Sequence, residues 1–196
     1  MITCIRAREK QLMPWNLPNT LTWARIAAIP LIVLLFYMPY PWADPAAGLL
    51  FAVAGITDLL DGYFARRLGQ ISRLGAFLDP VADKLIVAVA LVLLVSRDPR
   101  ALIVLTAAII IGREITISAL REWMAEIGAR RKVAVSQLGK YKTILQIIGL
   151  SLMLYRWHLF GLPTYRLGVG LTEIAAAATL VSMAAYLRIA WPELKR

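Results

Sequence analysis

The sequence predicts an all-α integral membrane protein of six transmembrane helices, with a candidate amphipathic helix lying at the interface before them. Three observations predict it. Six apolar stretches, about Asn19–Met38, Pro45–Phe64, Gly75–Val95, Ala101–Arg121, Tyr141–Trp157 and Leu167–Ala190, approach the ~20 residues that cross a hydrocarbon core. The 196-residue chain is 60% hydrophobic and 17% charged, a balance foreign to soluble domains. Of its 22 Lys and Arg residues, only Arg97, Arg100, Arg156 and Arg166 fall in the loops after the third and fifth stretches. The other 18 gather at the N-terminus, the loops after the second and fourth stretches, the C-terminus and adjacent helix ends, which puts both termini on the cytoplasmic side.

Residues 1–18 form an N-terminal cytoplasmic or interfacial segment, and 19–196 a single transmembrane domain. The first segment mixes bases with Ile5, Leu12, Met13, Trp15 and Leu17. It reads as an interfacial helix anchored by Trp15 or as a basic tail. The first apolar stretch is long, contains Arg25 and lacks a small-residue cleavage site, so it is expected to be retained as a helix rather than removed as a signal peptide. Asn19 or Thr20 is positioned to cap it, and Pro30 to kink it. Phe36, Tyr37, Tyr40 and Trp42 read as an interfacial aromatic belt. An eight-residue connection, Arg67–Leu74, joins the second and third helices, and Pro80 is placed to bend the third. Glu122–Lys142 is the longest polar connection. In the last helix Gly168, Gly170, Ala175–Ala178, Ser182 and Ala184–Ala185 supply a small surface suited to close packing.

The formal charge of +10 suits anionic lipid headgroups or phosphorylated substrates. Nucleic acid is disfavoured as a partner, because much of the basic charge flanks apolar segments. Cys4 stands alone, which excludes an intramolecular disulfide.

Four aspartates interrupt the apolar pattern. Asp58-Leu-Leu-Asp61-Gly62-Tyr-Phe-Ala65-Arg66 is followed, after eight residues, by Gly75-Ala-Phe-Leu-Asp79-Pro-Val-Ala-Asp83. At 3.6 residues per turn, positions 58, 61, 62, 65 and 66 share one helical stripe, and 75, 79 and 83 share another. Antiparallel helices would bring the stripes face to face, with too little local positive charge to neutralise four carboxylates. Such groups must hold protons or bind cations, and at membrane depth they are functional candidates by default. With no Cys or His placed to compete, an all-oxygen donor set favours Mg²⁺ or Mn²⁺ over Zn²⁺.

This spacing, D-x2-D-G-x2-A-R-x8-G-x3-D-x3-D, resembles the signature of the CDP-alcohol phosphotransferase family of integral membrane enzymes. Asn16-Leu-Pro-Asn19-Thr-Leu-Thr22-Trp-Ala-Arg25, the stretch from Gly112-Arg113-Glu114 to Arg121-Glu122-Trp-Met, and Val133 to Thr143 resemble the bacterial branch that uses sn-glycerol 3-phosphate as acceptor. Met1–Met13 and the residues after about Trp157 carry no diagnostic match. The resemblance implies a homodimeric bacterial cytoplasmic-membrane enzyme that draws CDP-diacylglycerol from the surrounding membrane lipids and releases CMP. It also implies Asp58, Asp61 and Asp79 as principal ligands of two divalent ions. Asp83 would lie near a metal and serve as general base. Gly62, Ala65 and Gly75 would leave room for the cytidine nucleotide, and Arg66 would donate to phosphate.

For the acceptor, Arg113 and Arg121 project from similar sides of the fourth helix, and Lys140 and Lys142 open the fifth. They form a candidate clamp for a dianionic phosphate, or they snorkel to headgroups and fix topology. Glu114 is expected to pair with Arg121 or another base. Arg25 is a candidate substrate contact or a membrane anchor, Arg130, Arg131 and Lys132 a solvated or lipid-facing run, and Glu173 a packing hydrogen bond. Two rivals stand beside this reading: the same donor chemistry with inositol phosphate, serine or phosphatidylglycerol as acceptor, and a cation-coupled transporter.

Overall fold

A computed structural model describes residues 17–68, 73–129, 137–159 and 161–194, and side chains over 20–58, 77–129, 141–159 and 161–192. Six helices follow in order: α1 (Leu17–Tyr37), α2 (Ala43–Leu68), α3 (Arg73–Arg97), α4 (Ala101–Glu126), α5 (Gln137–Tyr155) and α6 (Thr164–Leu194). Among the described residues a lone bridge between Leu159 and Leu162 is the β structure, so the all-α expectation holds. Among the described residues three helices, over Thr20–Tyr37, Ala101–Glu126 and Thr164–Pro192, are long and apolar enough to cross a membrane, and Tyr141–Tyr155 is a shorter apolar helix. The chain is accordingly a membrane protein. The aspartates and basic residues of α2 and α3 lower the apolar character of those two helices.

Every helix extends past its apolar stretch at one end or both, although α1 and α5 stop short of Met38 and Trp157. Helix α1 is already formed at Leu17, so Asn19 and Thr20 lie inside it rather than capping it. Pro18 is tolerated there because first-turn N–H groups have no intrahelical partner. The interfacial segment before it lies outside the described residues. Helix α2 runs on through Ala65, Arg66, Arg67 and Leu68, good helix formers all, and α3 starts at Arg73. The expected eight-residue connection thus shrinks to 69–72. Helices α1 and α3 continue through Pro30 and Pro80.

Helix α4 passes Arg121 and ends at Glu126, so part of the expected polar connection is helical. Gly128 ends it with φ +75°. Its N–H donates to the Ala125 carbonyl at 3.1 Å and that of Ala129 to Met124 at 2.8 Å, a Schellman closure that satisfies the last carbonyls. Arg130–Lys132 lie outside the described residues.

The chain divides into two units, one through Ala90 and one from Leu91 onward. In the first, α1 packs on α2. Ala28, Ile29, Ile32, Leu35 and Phe36 form the buried stripe of α1, against Ala43, Ala47, Phe51 and Ala54 of α2, with Ala82, Ile86 and Ala90 buried on α3. The three stripes turn polar as they continue. Thr22 and Arg25 extend the first, Asp58 the second, and Asp79 and Asp83 the third. Of the expected aromatic belt, Tyr37, Tyr40 and Trp42 are exposed, and Tyr40 stacks on Trp42 at 5.9 Å. Phe36 is instead buried, because it falls on the apolar stripe of α1.

In the second unit α6 packs along α5 and also against α4. Its buried stripe, Thr164, Gly168, Thr172, Ala175, Thr179, Ser182, Tyr186 and Ala190, recurs every three to four residues. Here the small surface is used within the chain. A Cβ on Gly168 would lie 2.6 Å from the Gly149 carbonyl oxygen and 2.8 Å from Met153 Cγ, so the two backbones touch where only hydrogen fits.

A polar lock closes one end of this unit. Asp98 accepts hydrogen bonds from Arg100 Nε at 2.8 Å and Nη2 at 2.6 Å, and from the Tyr165 hydroxyl. The Arg100 guanidinium, and after it Tyr165, hold the Asp98 carboxyl well below the usual carboxylate range. Arg156, in the left-handed region at φ +57°, sets its guanidinium 5.2 Å from the Tyr165 ring centre.

Candidate active site

Two polar clusters stand on the buried stripes, one in each unit. In the first, Arg25 reaches from α1 to α2 and α3. Its guanidinium is buried at 2% exposure, pairs with Asp83 and lies 3.4 Å from Asp58 Oδ1. Thr22, three residues earlier on the same face, donates its hydroxyl to Asp79. Asp58 and Asp79 both lie within electrostatic range of Asp83. Asp58, Asp79, Asp83 and Arg25, four residues singled out in the sequence, are therefore together.

The local positive charge that the motif lacks comes from Arg25. Among the described side chains, one guanidinium against three carboxyl groups leaves an excess of acid that favours a shared proton or a bound cation. Carboxylate and hydroxyl oxygens are donors of the kind a hard divalent ion takes, but among the described residues alone no three acidic groups stand close enough together to hold one. Arg25 is the counter-ion of Asp58 and Asp83 here, a role beside the two weighed for it. The side chains of Asp61, Gly62, Ala65, Arg66 and Gly75 lie outside the described residues, although 61, 62, 65 and 66 continue the α2 helix that carries Asp58 and Gly75 falls within α3.

The second cluster gathers Arg113, Glu114 and Arg121 of α4 with Lys142 of α5. Arg113 and Lys142 are buried, at 7% and 4% exposure. Arg113 pairs with Glu114, and Lys142 Nζ stands 3.8 Å from the same Glu114 oxygen, beyond hydrogen-bond reach. Arg121 and Arg113 are both within electrostatic range of Lys142. Glu114 thus holds Arg113 and Lys142 and not Arg121. Arg121 turns to α6, where Nη2 donates to the Tyr186 hydroxyl at 3.2 Å.

Among the described side chains three cations meet one carboxylate in this cluster, and their hydrogen-bonding capacity is not used up. Among the described residues, Arg113 Nε, Arg121 Nε and Lys142 Nζ are buried without hydrogen-bond partners. Unmade hydrogen bonds of charged, buried donors are costly, and an anionic ligand would satisfy them. The Lys140 side chain lies outside the described residues.

Two contributors were missed in the sequence. Thr22 shares the Arg25 face, and that spacing alone could have found it. Tyr186 is a lone aromatic on the small-residue stripe of α6, an irregularity that could have flagged it. Glu173, expected to make a packing hydrogen bond, has its Oε1 buried without a partner among the described residues. It lines a cavity of about 10 Å³, room for about one water, with Thr106, Thr172 and Met153.

Comparison with known proteins bears on both clusters. The family model described as CDP-alcohol phosphatidyltransferase matches residues 15–187, a span that contains every residue of the two clusters. The chain is 48% identical over 182 residues to the CDP-diacylglycerol–glycerol-3-phosphate 3-phosphatidyltransferase of Escherichia coli (strain K12), covering 93% of this chain and 98% of that protein. The protein of the same name from Shigella flexneri serotype 5b (strain 8401) matches with the same identity and coverage. With a family match across nearly the whole chain and relatives this similar, the chain belongs to the CDP-alcohol phosphatidyltransferase family.

Proposed function

We propose that this chain transfers a phosphatidyl group from CDP-diacylglycerol to sn-glycerol 3-phosphate, giving phosphatidylglycerophosphate and CMP. The observation that carries the acceptor assignment is the buried basic cluster. Arg113, Arg121 and Lys142 outnumber Glu114 by two charges, which matches the dianionic head of a phosphate monoester. Serine has no phosphate, and phosphatidylglycerol carries a singly charged diester. The relatives' name, with glycerol 3-phosphate as acceptor, supports the same choice.

On the donor side, Asp58, Asp61, Asp79 and Asp83 would hold two divalent ions, Mg²⁺ or Mn²⁺, which when bound neutralise the diphosphate and stabilise the departing CMP oxygen. The chain's own groups do the rest. Arg25 and Thr22 orient Asp58, Asp79 and Asp83, while Arg66, with Gly62, Ala65 and Gly75, receives the cytidine nucleotide. Asp83 takes the proton from the 1-hydroxyl of glycerol 3-phosphate. That oxygen bonds to the β-phosphorus as the bond to CMP breaks. Lys140 joins Arg113, Arg121 and Lys142 in gripping the acceptor phosphate.

The charge distribution supports a six-span topology in the bacterial cytoplasmic membrane, with both termini and the carboxylates facing the cytoplasm. The family resemblance supports a homodimer. Family membership favours enzyme over transporter.

The test is CMP release by the solubilised protein with CDP-diacylglycerol and Mg²⁺. Glycerol 3-phosphate is compared with inositol phosphate, serine and phosphatidylglycerol. Release dependent on glycerol 3-phosphate is expected. Release driven by another acceptor would overturn the assignment and leave the donor chemistry standing.

A further inference from the structure

Tyr186 is 5% exposed and sits in a buried group with Ile117, Met124 and Ala190. Its hydroxyl accepts from Arg121 Nη2 at 3.2 Å, and the guanidinium carbon of Arg121 lies 5.3 Å from its ring centre. The two basic groups held by Glu114 have part of their charge cancelled by that carboxylate. Among the described residues Arg121 is held differently, by a neutral oxygen and a ring, which fix the fork without a carboxylate. Its Nε–H is buried and without a partner among the described residues. A long side chain that must grip a phosphate loses less rotamer freedom on binding if it is already fixed.

We propose that Tyr186 is a positioning residue that holds Arg121 in the orientation that receives the phosphate group of the acceptor. This rests on the assignment of the basic cluster to that phosphate. Tyr186 touches Arg121, not the reacting atoms, so its effect falls on acceptor affinity rather than on the chemical step.

The experiment is a steady-state titration of glycerol 3-phosphate at saturating CDP-diacylglycerol, with inorganic phosphate as a competitive probe. It uses the full-length protein in detergent and the variants Tyr186→Phe, Arg121→Lys and the double variant. Tyr186→Phe keeps the ring and removes the acceptor oxygen. Losing that one hydrogen bond is expected to raise KM for glycerol 3-phosphate and Ki for phosphate together, by about five- to tenfold. Its kcat, and its KM for CDP-diacylglycerol, should stay within about twofold. Arg121→Lys should raise the same two constants, and adding Tyr186→Phe to it should change little more, because the fork that the hydroxyl holds is already gone. If Tyr186→Phe leaves KM and Ki unchanged while Arg121→Lys raises them, the proposal for Tyr186 falls alone. If the two changes simply multiply, Tyr186 acts by another route, and it falls likewise. If Arg121→Lys leaves KM and Ki unchanged, the assignment of the basic cluster falls, and this proposal with it.

Discussion

Asp83 faces both Arg25 and two other carboxyl groups, and its assigned work is to take a proton. Replacing it with Asn preserves shape and removes the base. Turnover of Asp83→Asn should fall by about 10²- to 10⁴-fold, with the protein still folded by circular dichroism. Asp79→Asn should be equally disabling, and near-normal CMP release from it would refute the two-metal site. Arg25→Ala removes a buried counter-ion from half-buried carboxylates, Asp58 and Asp83. The expected result is loss of thermal stability as well as activity, with addition of Mg²⁺ restoring part of the melting temperature, since a divalent ion can take over the neutralisation. The aspartates were legible because their types and their spacing of three and four positions are both unusual in an apolar segment. The role of Arg25 was not, because the groups that neutralise it are separated from it by 33 and 58 positions, and contacts that distant leave no local pattern.

Within the helices, the second unit depends on the seam between α5 and α6. Gly168→Leu forces a side chain into the Gly149 backbone and should cost at least about 1–3 kcal/mol, read as a lower melting temperature in detergent. At Gly170, where nothing lies within 4 Å, Gly170→Ala should be neutral or slightly stabilising. The polar lock responds to acid with a definite sign. Because the Asp98 carboxyl is held below its ordinary value of 3.8, the stability it contributes is complete above that pH and is lost as the pH falls below it. Thermal midpoints of the wild type and Asp98→Asn should therefore differ at neutral pH, by about 2–4 °C, and converge under strong acid. All six helices were legible from their apolar runs. Their ends were not, because charged residues such as Arg66, Arg67, Glu122 and Glu126 are good helix formers that a hydropathy reading assigns to loops.

For the molecule as a whole, the topology proposed from the asymmetry of basic charge has the Asp98–Arg100 loop on the outer side and residues near Gly128 on the inner side. In a variant with Cys4 replaced, a single cysteine at position 99 should react with a membrane-impermeant maleimide on intact cells, and one at 128 only after permeabilisation. The reverse pattern would invert the topology. The basic cluster was only half legible from sequence. Arg113, Arg121 and Lys142 announced themselves as cations in apolar helices, but whether they snorkel or converge depends on burial, which spacing does not report. The Gly149–Gly168 contact has a practical corollary for anyone mapping contacts between copies of this chain. Along α6, the stripe through 168, 172 and 175 is closed to reporters, since a probe there would pry the helix from its own neighbour. Ile174 and Val181, 58% and 69% exposed, look outward and can carry a spin label or a photo-crosslinker. Any mate that α6 finds in the bilayer must meet that bulkier, β-branched side.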